Sequence, residues 1–288
     1  MQHLFSALDP RPAPLGVQDG RGVGDHLADR PWLRGRGAAR ARSPHRCGDV
    51  SHVSGTALRA VFFDVGNTLL YASPSVSEVC RSVLERAGHL RDISVIDSYM
   101  PLVDAYYEER YAEDDGFWAD EERTSSVWVG MYSLLCRQLG IEDEAVAIAR
   151  HVYDEFGRPD RWALYDDVRP AFERLRERGL AVGVISNWDS RLQGLLEGLG
   201  LGDVLSDIVG SADVGLHKPD PRIFALACER LGVQPEEAAH VGDHHYADYL
   251  GSTALGMRAV LIDRHGVKAD HGVTPITTFD VLEGELGL

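Results

Sequence analysis

Asp64 ends the apolar run Ala60-Val61-Phe62-Phe63 and is followed by Val65-Gly66-Asn67-Thr68. Three later segments supply groups that complement a carboxylate in such a place. They are Val184-Ile185-Ser186-Asn187, His217-Lys218-Pro219-Asp220 and Val241-Gly242-Asp243, with Asp248 five residues further on. A carboxylate is already an anionic nucleophile and needs little activation. The Ser186 hydroxyl and the Lys218 ammonium suit the oxygens of a transferring phosphoryl group and offset their growing charge. Further carboxylates suit a hard divalent cation such as Mg²⁺, which lets an anion approach an anionic phosphate. Taken singly, each segment reads as a post-strand turn or a helix cap. Their occurrence together, in order, is what points to chemistry on phosphorus.

The elements around them put these residues at strand ends. Leu58 to Asp64 reads as a buried parallel strand. From Ser75 to Phe156 the apolar residues recur at helical spacing, as in Val76, Val79, Cys80, Val83 and Leu84. Strands and helices then alternate. Helices are expected over 168–178, 192–199, 222–231 and 245–255, and strands over 180–185, 207–209, 238–241 and 259–262. Glycines at 179, 232 and 256 close three of the helices. This alternation predicts an α/β, doubly wound, Rossmann-like parallel sheet with an all-α insertion after its first strand. The expected division is a core of 57–72 and 166–288 and a helical insertion of 73–165. In open sheets of this kind ligands bind outside the carboxyl ends of the strands, so residues some 180 positions apart can meet in one pocket.

These four segments resemble the motifs of the haloacid dehalogenase (HAD) superfamily of phosphotransferases and hydrolases. The similarity covers Leu58 to Gly266 and is densest in Ile185-Ser186-Asn187-Trp188-Asp189-Ser190-Arg191-Leu192 and Lys218-Pro219-Asp220-Pro221-Arg222-Ile223-Phe224. The resemblance implies a C1-type helical cap and an aspartyl-phosphate on Asp64, with a small phosphorylated metabolite as substrate. Mg²⁺ would be held by Asp64, the Gly66 carbonyl and Asp243, with Asp248 ligating or orienting a metal-bound water. Thr68 would support the nucleophile loop, Ser186 and Lys218 would take part in catalysis, and Asn187 would join them in binding phosphate.

One residue departs from that pattern. Superfamily phosphatases usually carry a second Asp two positions after the nucleophile, as proton donor to the leaving group and then base toward water. Here the position is Gly66. General acid–base catalysis is typically worth about 10²–10⁴-fold, so slow turnover of alkyl phosphates is expected. Leaving groups of low pKa would lose least. His244, His245 and Asp189 are candidate substitutes for the missing acid. A zinc site from His240, His244, His245 and Asp248 fits less well, because the carboxylates already suit a harder cation. Phosphonoacetaldehyde hydrolysis needs a cap lysine, and the expected cap has none. Dehalogenation needs no acid, but those enzymes replace the Gly-Asp kept here as Gly242-Asp243. A weakly active or inactive phosphate- or protein-binding module is the alternative from a different class.

Composition narrows the field. The net charge of −16 over 288 residues disfavours nucleic acid and anionic membranes. Four scattered cysteines without a C-x-x-C pair read as reduced thiols, and no apolar run approaches 18 residues, so a soluble, cytoplasmic protein is expected. Of 29 basic residues only Lys218 and Lys268 are lysine, which makes the lysine in the third motif informative. Residues 1–56 carry eight Arg and five Asp without sustained periodicity, and are expected to be a disordered extension or sequence upstream of a misassigned start. The acidic run 108–122 reads as a solvated helix face or an acidic lip, and Tyr106, Tyr107, Tyr111 and Trp118 read as the core of the helical block.

Overall fold

The computed structural model describes residues 57–266 and 272–288, so the expected N-terminal extension lies outside the described residues. Strand β1 (Ala60–Phe63) is buried along its whole length. Ala60 and Phe62 face one apolar cluster, with Ile185, Ile223 and Phe224; Val61 and Phe63 face the other, with Val182, Val184 and Phe172. Phe63 packs against the rings of Phe172 and Phe279 at 4.8 and 5.3 Å. Each such phenylalanine contributes about 1.5–3 kcal/mol by leaving water. A strand apolar on both faces belongs in the middle of a sheet covered on both sides.

After β1 come β2 (Leu70–Ala72) and four helices: α1 (Val76–Arg86), α2 (Ile93–Glu113), α3 (Glu121–Gln138) and α4 (Ala145–Glu155). The chain returns through β3 (Trp162–Leu164) to α5 (Val168–Glu177), β4 (Ala181–Ser186), α6 (Leu192–Gly198), β5 (Asp207–Gly210) and α7 (Ser211–Val214). It continues with α8 (Pro221–Leu231), β6 (Ala238–Gly242), a π-helical turn over His245–Leu250, α9 (Gly251–Leu255), β7 (Arg258–Leu261) and α10 (Leu282–Leu286). The five-stranded sheet runs β5-β4-β1-β6-β7 with every pair parallel. That is the expected α/β class, with flanking helices over both faces.

Register explains why the motifs meet. Phe63 pairs with Val184 on one side and Val241 on the other. Asp64, Ser186 and Asp243 therefore leave the sheet at adjacent carboxyl ends, and the Asp64 N–H donates to the Val241 carbonyl at 2.9 Å.

The helical segment is built from local signals. Ser75 and Glu78 form a reciprocal capping box at the start of α1, and the Asp120 carboxylate caps α3 by accepting the Arg123 N–H at 2.8 Å. Val79, Ile96, Val103, Met131, Leu135 and Ile148 bury the inner faces of these helices.

Two features depart from expectation. β2 and β3 form a small antiparallel ribbon at the two junctions of the helical segment, Leu70 opposite Leu164. Three residues per strand are too few for alternation to register in sequence. The helix expected over 245–255 is divided, its first part winding as a wider π turn. Such turns recur at functional positions, and this one carries Asp248.

Candidate active site

Lys218 sits at the centre of the site. Its Nζ donates to Asp64 Oδ1 at 2.6 Å and to Asp248 Oδ1 at 2.5 Å, and it is almost fully buried. The Ser186 hydroxyl donates to the same Asp64 Oδ1 at 2.9 Å. Asn187 holds the Lys218 main chain on both sides: its Oδ1 accepts the Lys218 N–H at 2.8 Å, and its Nδ2 donates to the Lys218 carbonyl at 3.0 Å. The short loop before α8 is thereby fixed by a residue 31 positions earlier, so that the Lys218 side chain enters the site.

Asp64, Asp243 and Asp248 are buried with one carboxylate oxygen of each within 4.8 Å of the others. Asp248 is also braced by the His244 N–H on Oδ2 and by His240 Nε2 on Oδ1, both at 2.9 Å. Burial opposes ionisation of Asp248, but the adjacent Lys218 and His240 outweigh it and hold its carboxyl well below the usual carboxylate range. Burial also works against the Lys218 ammonium, and Asp248 and Asp64 overcome that effect and raise its pKa. His240 moves the other way: burial lowers it, so it stands neutral with Nε2–H donated to Asp248 and its ring edge-on to Phe224 at 5.1 Å.

Gly242 is required by this packing. A Cβ there would lie 2.2 Å from Asp248 Cγ. Gly242→Ala is therefore expected to cost about 1–3 kcal/mol in a urea melt and to displace Asp248; an unchanged melt would contradict the close approach.

Lys218→Met removes the ammonium that bridges the buried carboxylates of Asp64 and Asp248. Breaking a buried pair costs about 3–5 kcal/mol, measurable by denaturation in chelator at neutral pH. The sign with pH follows from the depressed Asp248. Its contribution is present above the unfolded carboxylate pKa of about 3.9 and is lost as pH falls through the folded value. The gap between wild type and variant should therefore narrow as acid protonates the stranded carboxylate. A gap independent of pH would contradict this coupling.

The expected site residues come together with one exception. Asp64, Gly66, Ser186, Asn187, Lys218, Asp243 and Asp248 all line one cavity. Thr68 does not: it is buried off the cavity, and its carbonyl accepts two N–H groups of Arg264. Arg264 is tied in turn to Asp167 at 2.5 Å and lies over the Tyr165 and Phe279 rings. It braces the loop after Asp64, a role no motif spacing announced. Among the candidate substitutes for the missing acid, Asp189 is committed elsewhere, ion-paired to Arg191 at 2.5 Å and accepting the Tyr153 hydroxyl at 3.0 Å. His245 stacks on Tyr249 and is not among the lining residues. His244 does line the cavity, its Nδ1 accepting the Ala247 N–H. The zinc arrangement is not formed, since His240 faces Asp248 as a neutral donor and the clustered ligands are three carboxylates.

The far wall comes from the helical segment. Tyr107, Tyr111, Trp118 and Trp128 form a cluster of rings with centroids about 5.6–6.3 Å apart, and they line the same cavity as Asp64. Of these, Tyr107, Tyr111 and Trp118 read from sequence as core of the helical block rather than a substrate cage, and they line the cavity as well. Several polar contacts join the wall to the strand ends: Ser211 Oγ to the Trp118 carbonyl at 2.6 Å, the Ser190 N–H to the Glu121 carboxylate at 2.8 Å, and Arg191 Nη1 to the Tyr153 carbonyl at 2.6 Å.

Comparison with known proteins agrees with this arrangement. The family model for haloacid dehalogenase-like hydrolases matches residues 58–256. The haloacid dehalogenase-like hydrolase domain-containing protein 3 of Danio rerio is 34% identical over 218 residues, covering 74% of this chain and 88% of its own. A phosphoserine phosphatase of Thermus thermophilus is 31% identical over 229 residues, 72% of this chain and 89% of that one. The crystal structure of a HAD phosphatase from Thermococcus onnurineus superposes with a TM-score of 0.57 at 25% identity, over 80% of this chain and 98% of the other. With the catalytic-end geometry, the family match and relatives aligned over most of their length, this chain belongs to the haloacid dehalogenase-like hydrolases.

Proposed function

We propose that the chain is a Mg²⁺-dependent phosphohydrolase that forms an aspartyl-phosphate on Asp64 with a small phosphorylated metabolite. The observation that carries this is the double bridge of Lys218 between Asp64 and Asp248, with Ser186 donating to the same oxygen. Two donors on Oδ1 set the rotation of the carboxylate and leave Oδ2 to attack phosphorus. Ser186 and Lys218 then lie where the transferring oxygens must be held.

The donor set fits the metal. Three buried carboxylates lie together and two of them pair with the Lys218 ammonium, which leaves a formal excess of negative charge suited to a hard dication with oxygen ligands. Asp64, Asp243 and the Gly66 carbonyl would hold it, with Asp248 ligating or orienting a water. When bound, it would neutralise the phosphate and let the Asp64 carboxylate approach. Thr68, held by Arg264, supports the loop that carries the nucleophile. Residues 73–165 act as the cap over a core of 57–72 and 166–288, and exclude water from the reacting atoms.

Gly66 favours one other reading, a phosphate-binding module with little turnover. Dehalogenation fits less well, because Asp243 keeps the acidic cluster that halide displacement does not need. A panel of phosphorylated metabolites, acyl phosphate included, assayed with Mg²⁺ and with chelator, separates them. The expected result is metal-dependent phosphate release. Tight phosphate binding with no release under either condition would support the binding module instead.

A further inference from the structure

Nine of the twenty residues lining the cavity are aromatic rings, and four of the chain's five tryptophans, Trp118, Trp128, Trp162 and Trp188, are among them. Its two permanent cations are committed: Lys218 to Asp64 and Asp248, Arg191 to Asp189 beneath the Tyr153 ring. The cavity therefore offers a substrate one phosphate position and, beyond it, flat apolar faces rather than a second cationic anchor. Gly66 provides no proton for the leaving oxygen. These are independent demands, one on the shape and charge of the leaving group and one on its basicity, and a phenol meets both. Its pKa is about 10, against about 15.7 for water, which stands close to an aliphatic alcohol. Aromatic rings also gain from offset or edge contacts with walls of this kind. A small acyl group would leave more readily but would not reach the walls.

Resting on the phosphohydrolase reading above, we infer that the substrates are aryl phosphate monoesters whose leaving group is flat and uncharged. In the first step a bond forms between Asp64 Oδ2 and phosphorus while the bond from phosphorus to the aryl oxygen breaks. The electron pair departs on a phenolate, which takes its proton from solvent. In the second step water attacks phosphorus, the bond to Oδ2 breaks, and Asp64 regains its charge. Inorganic phosphate leaves, and the proton of the water passes to solvent. No oxidant or reductant is involved.

The test uses the full chain with Mg²⁺ and three probes: phenyl phosphate, acetyl phosphate and glycerol phosphate. Phenyl phosphate should show a KM about two- to tenfold below that of acetyl phosphate, the effect of one favourable ring contact, although acetate is the better leaving group. Tryptophan fluorescence of the Asp64→Asn variant should change on titration with phenyl phosphate and not with glycerol phosphate. Turnover of acetyl phosphate with phenyl phosphate no better than glycerol phosphate would overturn the aryl assignment and leave the phosphohydrolase reading intact. Silence on all three would overturn both. Trp128→Leu should raise KM for phenyl phosphate about two- to tenfold while the acetyl phosphate KM stays fixed, and equal loss on both probes would contradict a ring contact.

Discussion

Gly66→Asp gains about 10²–10⁴-fold in kcat/KM on alkyl phosphates, the usual worth of a positioned general acid or base. Gly66 is not among the glycines with positive φ, so its conformation is open to an L side chain, and it lines the cavity beside Asp64. A carboxyl group there would protonate an alkoxide as it leaves, then accept the proton of the attacking water. Alkyl esters depend on both events and should gain most. Aryl esters need only the second, so their gain should appear in kcat and should abolish any initial burst of phenol in the native protein. Steady-state rates on a matched alkyl and aryl pair, with the pre-steady-state trace of each, check this. Equal rates for the native chain and the variant on the alkyl ester would mean that proton transfer is not what limits turnover.

The second large effect is at Asp64. Asp64→Asn keeps the shape of the side chain and an oxygen for the Ser186 hydroxyl, but removes the nucleophilic charge, and turnover should fall by about 10³-fold or more. Stability should move differently. Without metal, the substitution removes one negative charge from three clustered carboxylates, so the melting temperature in chelator should hold or rise. The native chain should gain about 2.7 kcal/mol when Mg²⁺ reaches a hundredfold over its dissociation constant, and the variant should gain less. Calorimetry with and without Mg²⁺ reads this apart from activity. A variant destabilised in chelator and equally stabilised by Mg²⁺ would remove Asp64 from the metal site.

How much of this could be read from the chain alone depends on the length over which each signal acts. The core strands were legible because β1, β4 and β6 are short apolar runs with a polar residue at the end, and a parallel sheet then fixes where those ends lie. Asp64, Ser186 and Asp243 stand at or just past strand ends and Lys218 just before a helix, places that sequence can suggest, whereas Asp248 lies within the π turn after β6. Contacts set by tertiary packing were not legible. Asn187 gripping the Lys218 main chain, Arg264 holding the Thr68 carbonyl across 196 residues, and His240 turned onto Asp248 have no periodicity to announce them. The β2–β3 ribbon is too short for a period-two pattern. The rings of α2 illustrate a further limit: Tyr107 and Tyr111 show helical spacing that indicates packing, while the same spacing cannot say that one edge of the cluster faces a cavity.

In the proposed reaction Asp64 itself carries the phosphoryl group. The direct measurement is to mix the full chain with Mg²⁺ and an activated phosphate ester, quench in acid within the first turnover, and map the protein by peptide mass spectrometry. The expected result is a single added phosphoryl group on the peptide containing Asp64, absent from Asp64→Asn and discharged on longer incubation. Phosphate released at the same rate with no adduct on that peptide, or an adduct that survives the Asp64→Asn substitution, would show that the reaction proceeds without Asp64 as nucleophile.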